Sequence, residues 1–102
     1  MNEKVYEIDE IKEKLQPVFN AAPVYQAILF GSYAKGIATE KSDVDIVINS
    51  NGKLLDYNFY GVLDDVVESL NKRVDMIEIS EIRKGSQIYE EIQKSGVMLY
   101  ER

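Results

Sequence analysis

The chain of 102 residues contains no cysteine and no histidine. Without cysteine it can form neither a disulfide framework nor a thiolate metal site. Without histidine it lacks the most common general base, every serine–histidine or cysteine–histidine nucleophile pair and most zinc sites. Any catalysis must therefore depend on carboxylates, hydroxyls, lysine or a metal ion bound by oxygen ligands.

Positive charge is also scarce, since 12 lysines and arginines stand against 18 aspartates and glutamates and give a formal net charge of -6. This balance argues against nucleic acid as the main partner, because binding to its backbone depends on neutralising phosphates. The chain has no apolar run long enough to cross a membrane, and its N-terminus lacks the character of a signal peptide. We therefore expect a cytoplasmic protein with no membrane partner.

The sequence does contain an alternation of helical and strand patterns. Three segments have apolar residues at helical spacing: 5–19, 57–72 and 87–95. Four short apolar runs are typical of strands: 24–30, 43–49, 73–79 and 97–100. Residues 32–36 could add one helical turn. With no repeat and no linker, we predict a single α/β domain over residues 1–102, in which about three helices flank a mixed sheet of about four strands.

Two aspartates stand at the start of an apolar strand. Asp43 and Asp45 flank Val44 and precede the run Ile46-Val47-Ile48. Residues i and i+2 of a strand project from the same face, so these carboxylates lie close together and raise each other's pKa unless a cation intervenes. A hard divalent cation such as Mg²⁺ removes the conflict and keeps positions open for substrate phosphates.

A third aspartate, Asp75, lies within the next predicted strand. If the helix at 57–72 is a right-handed crossover, the strands on either side of it are parallel and begin at the same edge of the sheet. Asp75 then falls beside the first two aspartates. Three carboxylates there could hold two Mg²⁺ ions, an arrangement that stabilises the attacking and leaving oxygens of an in-line displacement at phosphorus.

A Gly-Ser pair precedes Asp43 by ten intervening residues and suits a phosphate group. Gly31 ends a strand and allows a close ligand approach that a side chain would prevent. Ser32 offers a hydroxyl and a backbone N–H at the start of a helical turn, and Lys35 adds a positive charge. An antiparallel return between the first two strands brings this pair to the end of the sheet where Asp43 begins. The sequence therefore predicts a pocket for a nucleoside triphosphate.

Each of these features taken alone has a simpler interpretation. An isolated Gly-Ser is usually a loop, Asp43 can cap the entry to a strand, and many surface loops contain Asp-x-Asp. Asp75 can form a structural ion pair with Lys72 or Arg73. Their joint occurrence favours a site, because Gly-Ser-x10-Asp-x-Asp arises by chance on the order of once in a thousand such chains at ordinary residue frequencies.

The pattern of Gly31-Ser32, Asp43-Val44-Asp45 and a later Asp75 resembles the signature of the DNA polymerase β-like nucleotidyltransferase superfamily. GSYAKG, SDVDIVI and the terminal SGVMLY are similar, more narrowly, to minimal nucleotidyltransferases of bacteria and archaea. The resemblance implies that the three aspartates hold the metal ions and that Asp75 helps to deprotonate the attacking hydroxyl. It also implies that Gly31 and Ser32 bind the β- and γ-phosphates. The family often has arginine where this chain has Lys35, which keeps the charge but lacks the bidentate fork.

The resemblance also implies a partner. Minimal nucleotidyltransferases are typically paired with a HEPN-domain protein, and in such toxin–antitoxin pairs the nucleotidyltransferase is the antitoxin and transfers AMP from ATP to a tyrosine of the toxin. Two other functions stay open on the residues alone. The chain could be a binding module that neutralises a toxin by contact, or a nucleotidyltransferase subunit that modifies a small molecule.

Overall fold

A four-stranded sheet organises residues 3–102, the part of the chain that the computed structural model describes. The helices are α1 (Ile8–Asn20), α2 (Gly31–Lys35), α3 (Tyr57–Leu70) and α4 (Gln87–Ser95), and a 3-10 turn covers Ile79–Glu81. The strands are β1 (Gln26–Phe30), β2 (Val44–Asn49), β3 (Val74–Glu78) and β4 (Val97–Glu101). This confirms the predicted α/β fold with its mixed sheet. The one-turn helix α2 joins the three helices that periodicity predicts.

The strand order is β3-β2-β1-β4. Strand β1 pairs antiparallel with β2 and β4, whereas β2 pairs parallel with β3. Helix α3 therefore forms the predicted crossover between two parallel strands. The register sets Asp45 opposite Phe30 of β1 and opposite Asp75 of β3. Strand pairing alone thus brings the end of β1 next to Asp45, which lies between it and Asp75.

The main core lies on the face of the sheet that α1 and α3 cover. Its largest fully buried side chains come from these two helices, from the strands β1, β2 and β4 and from the residues just before β1: Ile11, Leu15, Phe19, Val24, Leu29, Val44, Ile46, Ile48, Val66, Leu70 and Leu99. Full burial of such a side chain contributes about 1.5–3 kcal/mol before entropy is counted. This face therefore supplies most of the stabilisation that holds the sheet together.

The opposite face carries a smaller apolar cluster, in which Phe30 and Val47 pack with Ile92 of α4. Helix α4 begins where the sequence predicts, because the Ser86 hydroxyl accepts a hydrogen bond from the N–H of Tyr89 at 3.2 Å. Asp45 projects to the same side as Val47, since residues two apart on a strand share a face. The aspartates of the sheet therefore lie on the side that α4 covers only in part.

A buried polar cluster joins the ends of β2 and β3. The carboxylate of Glu78 is 7% exposed and accepts hydrogen bonds from the N–H of Ser50 at 3.1 Å, from the Ser50 hydroxyl and from the N–H of Ile79 at 3.0 Å. The Ser50 oxygen in turn accepts from the N–H of Leu54 at 3.2 Å. A buried carboxylate is tolerated only with such partners. The cluster therefore holds the two parallel strands in register.

No helix within residues 3–102 has the length and apolar character needed to cross a lipid bilayer.

Replacement of Ser50 by alanine should destabilise the fold. We expect Ser50→Ala to lower the free energy of unfolding by about 2 kcal/mol, because a hydrogen bond to a charged group is worth about 1.5–3 kcal/mol. Urea unfolding followed by circular dichroism measures the change. Ser69→Ala is the control, since it removes an exposed hydroxyl that donates to the carbonyl of Lys14. Equal losses in the two variants would contradict the role of the cluster.

Candidate active site

Asp45 and Asp75 stand opposite each other on β2 and β3. The structure thus places Asp75 beside Asp45, as the predicted parallel crossover requires. Asp45 is half-buried and Asp75 is exposed. Burial and then the negative charges of Asp75, Asp43 and Glu91 raise the pKa of Asp45 to about 6, and a hydrogen bond with Asp75 adds to the shift. The pair therefore concentrates negative charge that no cationic side chain offsets at Asp45.

Gly31 brings the start of α2 against Asp45. Its φ of +73° lies in the left-handed region that favours glycine. A Cβ atom at this position would lie 3.0 Å from Cγ of Asp45 and would overlap its Oδ2. Ser32 follows in the first turn of α2, where backbone N–H groups have no partner within the helix. The Gly-Ser turn therefore lies directly against the Asp45 carboxylate.

Asp43 lies just before β2 and has a different neighbour. Its Oδ1 is 3.7 Å from Nε of Arg73, and the Asp43 side chain is 34% exposed. As the side chains stand, residues 3–102 contain no group of three or more carboxylates, histidines or cysteines arranged to hold a metal ion. The structure thus pairs two of the three predicted metal ligands, Asp45 and Asp75, and places the third beside them in contact with Arg73.

Lys35 contacts a residue that no motif singled out. Its Nζ lies 3.0 Å from Oε1 of Glu91 on α4, and the charge of Glu91 is one cause of the raised pKa of Asp45. In the sequence, Ile88, Glu91 and Ile92 share one helical face, so a carboxylate within an apolar stripe was the available signal. Its proximity to Asp45 depends on how α4 packs on the sheet, which no local pattern encodes.

An open groove of about 410 Å³ runs along the outer edge of β3 and includes Asp75 in its lining. Tyr60 and Leu55, which are 62% and 66% exposed, belong to its walls. Asp56 and Glu81 add carboxylates, and no lysine or arginine of the described part of the chain lines it. A triphosphate would be repelled there, so the groove suits a neutral or cationic ligand that approaches Asp75 from the side opposite to α2.

The donor set at this edge of the sheet fits a hard divalent cation. Asp43, Asp45 and Asp75 offer only carboxylate oxygens, which Mg²⁺ prefers, and the chain contains neither cysteine nor histidine. The raised pKa of Asp45 reflects like charges that a cation would offset. The lack of a Cβ at Gly31 lets the same carboxylate lie directly against the start of α2.

A mixed four-stranded sheet, whose first strand ends in a Gly-Ser turn facing acidic residues on the next strands, is the fold of the nucleotidyltransferases. The chain belongs to the polymerase β nucleotidyltransferase family, which its residues 13–102 match. It is 36% identical over 76 residues to a candidate protein adenylyltransferase of Methanocaldococcus jannaschii, a match that covers 74% of this chain and 81% of that relative.

Solved structures share the fold. A chain from the crystal structure of a toxin–antitoxin with AMP-PNP superposes with a TM-score of 0.72 at 20% identity, over 89% of this chain and 73% of that one. A chain from the complex of tri-AMPylated Shewanella oneidensis HEPN toxin with MNT antitoxin gives a TM-score of 0.66 at 17% identity, over 93% and 73%. At these identities the likeness establishes the architecture.

The crowding at Gly31 can be measured against a matched glycine. Gly36 has nearly the same φ, +74°, but open space where a Cβ would lie. We expect Gly31→Ala to lower the free energy of unfolding by at least about 1 kcal/mol more than Gly36→Ala, because both variants strain the backbone and only the first displaces Asp45. Thermal or urea unfolding measures the difference. If the two variants lost the same free energy of unfolding, the contact between Gly31 and Asp45 would not be tight.

The pKa of Asp45 predicts a pH-dependent effect of removing its charge. The folded-state pKa, about 6, lies above the ordinary value of 3.8, so the folded protein binds this proton more tightly than the unfolded chain does. The contribution of protonated Asp45 to the free energy of unfolding is therefore fully present below about pH 4 and is lost as the pH rises through about 6. Without divalent ions, Asp45→Asn should raise the free energy of unfolding by about 1 kcal/mol at pH 8 and hardly at pH 4, allowing for partial exposure.

The exposed Asp64 of α3 provides the control for this measurement, since Asp64→Asn makes the same chemical change away from the site. Urea unfolding at both pH values compares the two variants. A loss of stability at pH 8 in Asp45→Asn, or a gain equal at pH 4 and pH 8, would contradict the electrostatic origin of the effect.

Proposed function

We propose that this nucleotidyltransferase transfers AMP from ATP to a tyrosine hydroxyl of a HEPN-domain toxin and so acts as an antitoxin, with residues 1–102 as its one catalytic domain. The observation that carries the proposal is the meeting of the Gly31-Ser32 turn with Asp45 and Asp75 at one edge of the sheet. The relative at 36% identity bears the name of a protein adenylyltransferase. The structures of similar fold include toxin–antitoxin complexes, one of them with an AMPylated toxin.

In this proposal Asp43, Asp45 and Asp75 would hold two Mg²⁺ ions, and the Asp43 carboxylate would have to leave Arg73 to do so. Bound Mg²⁺ offsets the negative charge that develops on the phosphate oxygens during transfer. The chain has no histidine that could take over this role. Metal binding would also explain why the carboxylates of Asp45 and Asp75 face each other on adjacent strands, where they repel each other.

The remaining residues of the site bind and orient the two substrates. The β- and γ-phosphates are bound by the backbone N–H groups of Gly31 and Ser32, by the Ser32 hydroxyl and by the ammonium of Lys35. The acceptor approaches along the groove beside β3, where an exposed wall and the lack of cationic side chains favour polypeptide over a second nucleotide. The two substrates therefore reach Asp75 from opposite sides.

The reaction is a displacement at the α-phosphorus. The acceptor oxygen forms a bond to this phosphorus while the bond to the oxygen that bridges the α- and β-phosphates breaks, and pyrophosphate leaves. Asp75 accepts the proton of the attacking hydroxyl. Of the carboxylates at this edge, Asp75 is the exposed one that also lines the groove, which suits it to meet an incoming hydroxyl.

A contact-only antitoxin is the second candidate, and exposed aromatic residues favour it. At the start of α3, the side chains of Tyr57 and Tyr60 are 92% and 62% exposed, and Leu55 before the helix is 66% exposed. Such a patch is suited to a protein interface. The enzymatic and the contact-only functions use the same partner, so they differ in whether the partner is chemically changed.

Mass spectrometry of the partner separates these functions. The chain is purified together with the product of the neighbouring gene and incubated with ATP and Mg²⁺. We expect the partner to gain the mass of AMP on a tyrosine. Asp45→Asn and Asp75→Asn should each lower the rate roughly a hundredfold or more, whereas Asp64→Asn should not. If the partner stays unmodified and the Asp45→Asn variant still neutralises it, a contact-only antitoxin is favoured. If a small molecule gains AMP instead of the partner, the chain is a nucleotidyltransferase subunit that modifies a small molecule.

A further inference from the structure

Lys35 already has a carboxylate partner within the site. Its Nζ lies 3.0 Å from Oε1 of Glu91, and the side chains of the two residues are 44% and 27% exposed. The pair joins α2, which carries the Gly-Ser turn, to α4. The neighbouring Glu90 lies on the exposed side of the same helix. Of these two adjacent glutamates, Glu91 pairs with Lys35, and Glu90 lines the same shallow cavity without an ion pair to Lys35.

Glu91 places negative charge where the nucleotide site requires positive charge. Its carboxylate acts on Asp45 strongly enough to contribute to the raised pKa of that residue, so it lies within the same electrostatic environment. Lys35 is the cation that follows the Gly-Ser turn, three residues after Ser32. While Lys35 is paired with Glu91, its charge is partly neutralised toward any anion at that turn.

We propose that Glu91 is an internal competitor of the triphosphate, which holds Lys35 until a nucleotide displaces it. The inference rests on the proposed function, because it assumes that a nucleotide binds at the Gly-Ser turn. Glu91 touches neither substrate in this account, and it acts through Lys35 as a positioning residue. Its effect is to weaken nucleotide binding while keeping the ammonium group in place at the edge of the site.

Calorimetry with a nucleotide that cannot be cleaved tests the competition. The probe is ATP with a methylene group between the α- and β-phosphates, titrated into the protein with MgCl₂. Glu91→Gln should lower the dissociation constant by about two- to fivefold, the range expected when a partly exposed ion pair no longer competes. Glu90→Gln changes the net charge equally and should leave the dissociation constant within about a factor of 1.5, well below the effect of a specific ion pair.

The dependence on Lys35 is tested in a second pair of variants. Lys35→Met should weaken binding, and adding Glu91→Gln to it should have no further effect, because the competition needs both residues. In transfer assays with the partner, Glu91→Gln should lower the KM for ATP and leave kcat unchanged. The inference would be overturned in favour of general charge repulsion if Glu90→Gln raised the affinity for the probe as much as Glu91→Gln does. The same conclusion would follow if Glu91→Gln raised the affinity fully in the Lys35→Met background. If the wild type and all variants fail to bind the probe, the proposed function itself is overturned.

Discussion

Repulsion between the carboxylates of Asp45 and Asp75 is the constraint on which the rest of the site depends. Strand register places the two residues opposite each other, and partial burial at Asp45 prevents water from screening the charges fully. The fold tolerates this conflict because the main core lies on the other face of the sheet. Under the proposed function this conflict has a chemical use, because a divalent cation and a triphosphate would bind between the acids and the Gly-Ser turn.

Contacts around Asp45 and Asp75 hold these two carboxylates in position. The hydrogen bonds between Ser50 and Glu78 hold the parallel strands in register, at the end opposite to the aspartates. Gly31 permits the start of α2 to approach Asp45 more closely than any side chain would allow. Around the pair, Arg73 contacts Asp43 and Glu91 contacts Lys35. Asp43 and Lys35 therefore each have a partner that a ligand would have to replace.

Much of this arrangement could be predicted from the sequence because it follows from strand direction. Alternation along β2 and the crossover through α3 are enough to bring Asp75 beside Asp45, and the antiparallel return from β1 brings the end of that strand next to Asp45. The ion pairs could not be predicted in the same way. Whether Glu91 or Glu90 reaches Lys35 depends on the rotation of α4 against the sheet, and the contact of Asp43 with Arg73 depends on side-chain rotamers. The groove beside β3 arises where α3 and the loop before it face β3 and the 3-10 turn, which come later in the sequence.

The central claim is that the chain transfers a nucleotide, and labelled ATP tests it most directly. The chain and its neighbouring gene product are incubated with Mg²⁺ and ATP that carries the label either at the α-phosphate or at the γ-phosphate. Nucleotide transfer predicts that the α-label becomes covalently attached to the partner and that the γ-label is released in pyrophosphate. Attachment of the γ-label would indicate a kinase reaction instead, and attachment of neither label would contradict the account.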